Sequence, residues 1–218
     1  MGGSMINLLI LAAVAIFLGL RLKSVLGTRD GFEKPMDLPP SSKEPVEDAE
    51  IAPPVDPYAD IEDHAEEGSD TALALRAMKE AEPGFDVNNF LRGARQAYEM
   101  LLMAYERGER EDLQPYLDPE VYEGFEAAIS AREAEGLDVE AQFVGIREGS
   151  LQEASFDPET QEAEMTVRFV GELSVVVRNQ AGEIVDGAKD EVKRQTDVWT
   201  FARKMGADDP NWLLVATG

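Results

Sequence analysis

The chain has 218 residues, enough for one domain plus accessory segments, and carries 44 acidic against 20 basic side chains for a formal net charge of −24. Such a surface repels phosphate, which counts against nucleic-acid binding and against unassisted docking on anionic lipid. There is no cysteine, so disulfides, Cys-ligated zinc and thiol nucleophiles are excluded together, while the redox compartment stays open.

Met5 to Leu20 reads MINLLILAAVAIFLGL, with Asn7 the one strongly polar residue. Sixteen residues at ~1.5 Å rise give ~24 Å, short of a hydrocarbon core of ~30 Å. Leu22, Val25 and Leu26 extend the run if Arg21 and Lys23 snorkel to the interface. A cleavable signal peptide needs a basic region before the apolar run and a small-x-small site after it. MGGSM and GLRLKSVLG supply neither. A buried soluble helix would need a partner core, and a Pro-rich stretch follows instead. The reading is an uncleaved transmembrane anchor over residues 5–26. Arg21, Lys23 and Arg29 all follow the run, so the positive-inside rule puts the C-terminal bulk in the cytoplasm, or in the matrix of a mitochondrion. Met5 is a second candidate start.

Residues 27–84 read as an acidic, Pro-rich, disordered linker. From residue 31 to 84 they hold eight of the twelve prolines and 15 acids against 4 bases. That composition buries too little apolar surface to offset ordering entropy, and self-repulsion keeps it extended. His64, the one histidine, lies here without a second ligand nearby and reads as solvated. Asp70 to Glu80 is a short helical pattern with Asp70 as cap. It is either a marginal helix packed on the domain or a segment that folds on a partner.

The domain is placed at residues 85–218, with 13 basic against 28 acidic residues. Asp86 caps a long helix, Phe85 and Phe90 have hydrophobic-staple spacing, and Gly108 is a left-handed stop. Phe90, Leu91, Ala94, Ala97, Tyr98, Leu101, Leu102 and Tyr105 form its apolar face. A short turn carries Leu113, Tyr116 and Leu117. Asp118-Pro119-Glu120 starts another helix, with Val121, Phe125, Ala128 and Ile129 as its stripe and Gly136 at its end. The period then changes to two. Val139 to Gly145 is one weak strand. Thr166 to Arg178 is a long one, with Gly171 at an expected bend or bulge. Lys193 to Lys204 and Trp212 to Thr217 complete the set. Turns fall at Asp157-Pro158-Glu159, Ala181-Gly182 and Asp208-Asp209-Pro210-Asn211.

Three helices before four or five antiparallel strands predict an α+β fold, an open cone with an apolar mouth. Candidate pocket residues are Phe143, Val167, Phe169, Trp199, Phe201 and Trp212, with Tyr98 and Leu102 from the long helix. The competing reading of these residues is plain core packing. No residue set supports a catalytic, cofactor or metal site.

Four blocks carry a family resemblance: FDVNNFLRGARQAYEMLLMAYERGERE, LQPYLDPEVYEGFEAAI, DVWTFARK and DPNWLLVAT. In this order and spacing they resemble the C-terminal domain of the mitochondrial import-motor tether Tim44, and still more its alphaproteobacterial TimA-type relatives. The resemblance covers about residues 85–218. It implies a nuclear-transport-factor-two-like cone and a membrane-tethered adaptor without a catalytic motif. The mitochondrial relatives hold a seventy-kilodalton heat-shock chaperone at an inner-membrane translocase. This chain departs from them: it has no long basic chaperone-binding region, and its domain is acidic rather than suited to cardiolipin.

The expectation is a single-pass protein of a bacterial inner membrane, with its domain in the cytoplasm. It is a non-enzymatic adaptor recruiting a protein partner, whether chaperone, translocase or envelope client. Homo-oligomerisation is left open. The alternative is a ligand-binding or isomerase-type enzyme using the cone mouth. It needs an inward carboxylate, whereas Glu140, Glu164 and Glu172 fall on the polar half of the alternation, and Tyr98, Tyr105 and Tyr122 have no evident base partner. A third reading, a ribosome-linked structural role, rests on a mitochondrial ribosomal protein that resembles the same domain. The acidic charge counts against RNA contact.

Overall fold

The computed structural model describes residues 56–218. The expected anchor and the linker up to residue 55 lie outside the described residues. Among the described residues no helix is long and apolar enough to cross a membrane. The elements in order are α1 (Ala59–Glu62), α2 (Asp70–Ala81), α3 (Val87–Arg107), α4 (Arg110–Leu113), a 3-10 turn (Gln114–Tyr116) and α5 (Pro119–Ala134). The strands β1 (Asp138–Asp157), β2 (Glu162–Arg178), β3 (Ile184–Gly187), β4 (Lys193–Lys204) and β5 (Leu213–Thr217) follow. The class is α+β with a five-stranded antiparallel sheet in the order β1-β2-β4-β5, β3 pairing with β2.

The helix ends follow their local chemistry. The Asp86 carboxylate accepts from the Asn89 N–H at 2.7 Å, and Gly108 closes α3 at φ 72°. Phe85 and Phe90 are both buried and share Trp212 as an aromatic neighbour, at ring distances of 6.2 and 4.8 Å. Asp118 caps α5 through the Glu120 N–H at 2.9 Å, with Pro119 in the first turn. Arg132 of α5 donates to the last-turn carbonyls of Tyr105 and Glu106, satisfying acceptors the helix itself leaves free.

Residues 56–84 correct the expectation of a disordered linker, and of the two readings of Asp70 to Glu80 the structure shows the helix packed on the domain. Ile61, Ala72, Leu75 and Met78 are buried in the same core as α3 and the sheet. Proline and acid dominate the stretch on average, but the four apolar residues recur on one side of α1 and α2, and that local pattern outweighs composition. The cap of α2 is Ser69, whose hydroxyl accepts from the Ala72 N–H at 3.1 Å, and Asp70 is the first helical residue. His64 is half-buried, with its imidazole 2.8 Å from the Asn88 side-chain oxygen.

Two ion pairs fasten the C-terminal end of α2. Lys79 meets Asp60 at 2.9 Å, and Asp60 also accepts from the Val87 N–H at 2.8 Å. Glu82 accepts from Arg203 at 2.8 Å and from the Gly206 N–H at 2.9 Å. Burial alone would raise the Asp60 and Glu82 pKa values, but Lys79 and Arg203 with the two N–H groups outweigh it and hold both below the ordinary range. A depressed folded pKa contributes stability above the unfolded value and loses it as pH falls through the folded one. The melting temperature is therefore expected to fall below about pH 4. The double variant Asp60→Asn/Glu82→Gln should show a shallower fall and a lower melting point at neutral pH. Equal slopes in both proteins would remove these carboxylates from the account.

β1 is far longer than the weak strand the sequence suggested. It pairs with β2 from Asp138↔Arg178 to Asp157↔Glu162, with register shifts between Phe143 and Gly145, Ile146 and Glu148, and Leu151 and Glu153. Each extra residue reverses the inward–outward alternation, so no single period runs through the strand. β4 pairs with β2 without a shift from Leu173↔Lys193 to Glu162↔Lys204.

Candidate functional site

The centre of the sheet's helix-facing side is built on Tyr98. The helical phase of α3 points it at β2, where its ring stacks on Phe169 with centroids 4.5 Å apart and planes at 19°. Trp199 lies 4.8 Å away and Phe143 6.3 Å away. Gly171 makes this possible: a Cβ there would stand 2.6 Å from the Tyr98 hydroxyl oxygen. The expected bend at Gly171 is thus a close approach, and the bulges lie on β1 instead. Gly149 plays the same part for Arg95, which donates to the Gly149 carbonyl at 2.8 Å.

The predicted pocket residues divide. Tyr98, Phe169, Val167, Trp199, Phe201 and Leu102 are buried among one another and the surrounding core. Phe201 and Trp212 form a second aromatic group with Phe90, and Trp212 also carries the Arg203 guanidinium 5.2 Å above its ring. Phe143 lines a surface cleft. That cleft is about 300 Å³ and also borders Arg95, Glu99, Val144 and Ile146. The expected mouth is therefore filled with side chains at its centre, because the ring of Tyr98 occupies it.

Sequence reading missed the partner of Tyr98. Its hydroxyl donates to Asp197 Oδ2 at 2.5 Å, and Gln195 Nε2 donates to the same oxygen at 2.8 Å. Asp197 and Gln195 share the inward phase of β4 with Trp199 and Phe201, and this was the signal available. Burial first, then the hydrogen bond and charge of Asp197, push the phenol pKa far up, so Tyr98 stays protonated. The Tyr98 phenol has no exposed surface, and its donor is satisfied inside the protein by the Asp197 carboxylate.

Glu172 was expected in solvent with Glu140 and Glu164. The other two are exposed, but Glu172 is 8% exposed. Arg147 at 2.7 Å and Arg194 at 3.1 Å close over it on the sheet's outer side and hold its pKa down.

A second and larger cleft, about 430 Å³, lies between α2 and the end of β1. Leu73, Ala74 and Ala77 line one wall, Glu153 to Phe156 the other, and Leu73 is 57% exposed. Among the described residues no cluster of His, Asp or Glu has the arrangement of a metal site.

No curated protein matches the sequence. The intermembrane space region of the chloroplast protein ARC6 is similar in structure, with 12% identity and a TM-score of 0.43, over 58% of this chain and 93% of that one. The Tim44-like domain model matches residues 71–218, from the first turn of α2 to the last residue, and the chain belongs to the Tim44-like domain family.

Proposed function

We propose that the protein is a membrane-tethered, non-enzymatic adaptor whose Tim44-like domain recruits a protein partner. The observation that carries this is the pairing of that domain with the apolar run at residues 5–20 and the basic Arg21, Lys23 and Arg29 after it. The domain sits at the cytoplasmic face of a bacterial inner membrane, held by one span, and the partner is a chaperone, a translocase subunit or an envelope client. The cone geometry and the kinship with TimA-type proteins belong to this reading. The enzyme alternative gains an inward carboxylate, Asp197, but both it and Tyr98 are engaged with each other.

The test is photocrosslinking in native membranes from a photoreactive residue at Leu73 or Val144, both exposed and one in each cleft. Capture of a defined protein, lost when residues 5–26 are removed, is the expected result. Capture of lipid or a small metabolite with no protein would overturn the adaptor reading.

A further inference from the structure

The two edges of the sheet are finished differently. At one end β5 is closed by a parallel bridge from Leu117 to Leu214, and the Asp118 N–H donates to the Leu214 carbonyl at 2.9 Å. At the other end stands β1, the terminal strand. Its last bulge lies between Leu151 and Glu153, and from Glu153 to Asp157 it runs in regular register with β2. Among the described residues, none hydrogen-bonds to the backbone of residues 151–156 from the free side. An open, regular edge is a template for another strand.

The cleft of about 430 Å³ runs along this segment. Its inner wall is apolar: Leu73, Ala74 and Ala77 of α2 face Phe156. Its charged lining is wholly acidic, Asp70 and Glu153. A second copy of this chain would bring a net charge of −24 against the same sign, so self-pairing is disfavoured.

We propose that the α2–β1 cleft binds an extended segment of a partner protein as an added strand on β1, and that this segment alternates apolar and basic residues. The strand period sends alternate side chains to opposite faces. Those turned inward seat on Leu73, Ala74 and Ala77. Those turned outward lie beside Glu153. Main-chain bonds to β1 supply affinity, and the two rows supply specificity. This names the docking surface of the adaptor reading and rests on it.

The probe is a fluorescein-labelled nine-residue peptide of alternating valine and lysine, titrated by anisotropy against the full chain in phosphatidylcholine nanodiscs. Two controls keep either charge or pattern: the same peptide with its central valine replaced by proline, and a valine–glutamate peptide. Ala77→Trp fills the cleft at constant charge. Leu73→Glu adds a negative charge at an exposed site, so plain electrostatics strengthens binding while seating in the cleft weakens it. Saturable binding of the valine–lysine peptide, weakened at least about tenfold by either substitution and by the proline, is expected. Binding that changes by less than about twofold in Leu73→Glu and with the proline peptide is charge attraction alone and overturns the proposal. Absence of saturable binding up to about 1 mM peptide also overturns it. The two readings fail separately. Membrane crosslinks to a protein that Leu73→Glu leaves unchanged would sink the cleft and spare the adaptor. Peptide binding without any protein crosslink would do the reverse.

Discussion

Residues 85–218 alone are expected not to fold, although they hold every strand and the two longest helices. Removing residues 56–84 strips Ile61, Ala72, Leu75 and Met78 from the core and exposes what they cover. Full burial of a large aliphatic side chain contributes about 1.5–3 kcal/mol. Losing Ile61, Leu75 and Met78 removes about 4.5–9 kcal/mol, most of the margin of about 5–15 kcal/mol that a domain possesses, and the ion pairs at Asp60 and Glu82 go with them. Point variants give the same test in smaller steps. Leu75 has no exposed surface, so Leu75→Ala should cost about 2–5 kcal/mol. Leu73→Ala, two residues away but 57% exposed, should change stability by less than about 0.5 kcal/mol. Urea unfolding followed by the fluorescence of Trp199 and Trp212 reads both. A cooperative transition in residues 85–218 with the full chain's midpoint would return 56–84 to the status of linker.

Tyr98→Ala should cost about 3–5 kcal/mol, among the largest single-residue losses in the protein. It empties the space between Phe169, Trp199 and Phe143 and takes the hydroxyl donor from Asp197. Tyr98→Phe keeps the ring and loses only the donor. Its cost is about 1–3 kcal/mol, because Gln195 still donates to Asp197. Gly171→Ala places a Cβ 2.6 Å from the hydroxyl oxygen and is strongly unfavourable beside Tyr98. Tyr98→Phe removes the nearest atom and leaves ring carbons at 3.0 and 3.2 Å, so the clash is eased in part and the double variant should lose less than the two single losses together. A double-mutant cycle in urea measures this coupling. Strict additivity would mean that Gly171 serves some purpose other than admitting Tyr98.

The part of the site that the sequence named was its membership, not its shape. Tyr98, Phe169 and Trp199 sit on inward phases, and they do meet. That they fill the space was decided by Gly171, whose missing side chain lets the phenol advance to the strand. No sequence pattern measures that distance. The partnership of Tyr98 with Asp197 spans 99 residues and depends on the register of β4 against β2. Glu172 has the same cause: only cross-strand neighbours bring Arg147 and Arg194 over it.

Local chemistry was enough for the elements with local causes. Asp86 and Gly108 bound α3, Asp118-Pro119 starts α5, and β4 keeps continuous register with β2. The class, helices before an antiparallel sheet, follows from these and was legible, as was the Tim44-like wording of the four blocks. Two things were not. β1 hides its length because each of its three register shifts reverses the alternation, so the pattern fades after Gly145 although the strand continues to Asp157. Residues 56–84 hide their order because acid and proline dominate their average, while Ile61, Leu75 and Met78 acquire a core only when α3 and β1 are already beside them. Sequence determined what short-range hydrogen bonds and side-chain periodicity impose. Tertiary structure decided which apolar residues found a partner, since burial is a property of the assembled surfaces and not of any one segment.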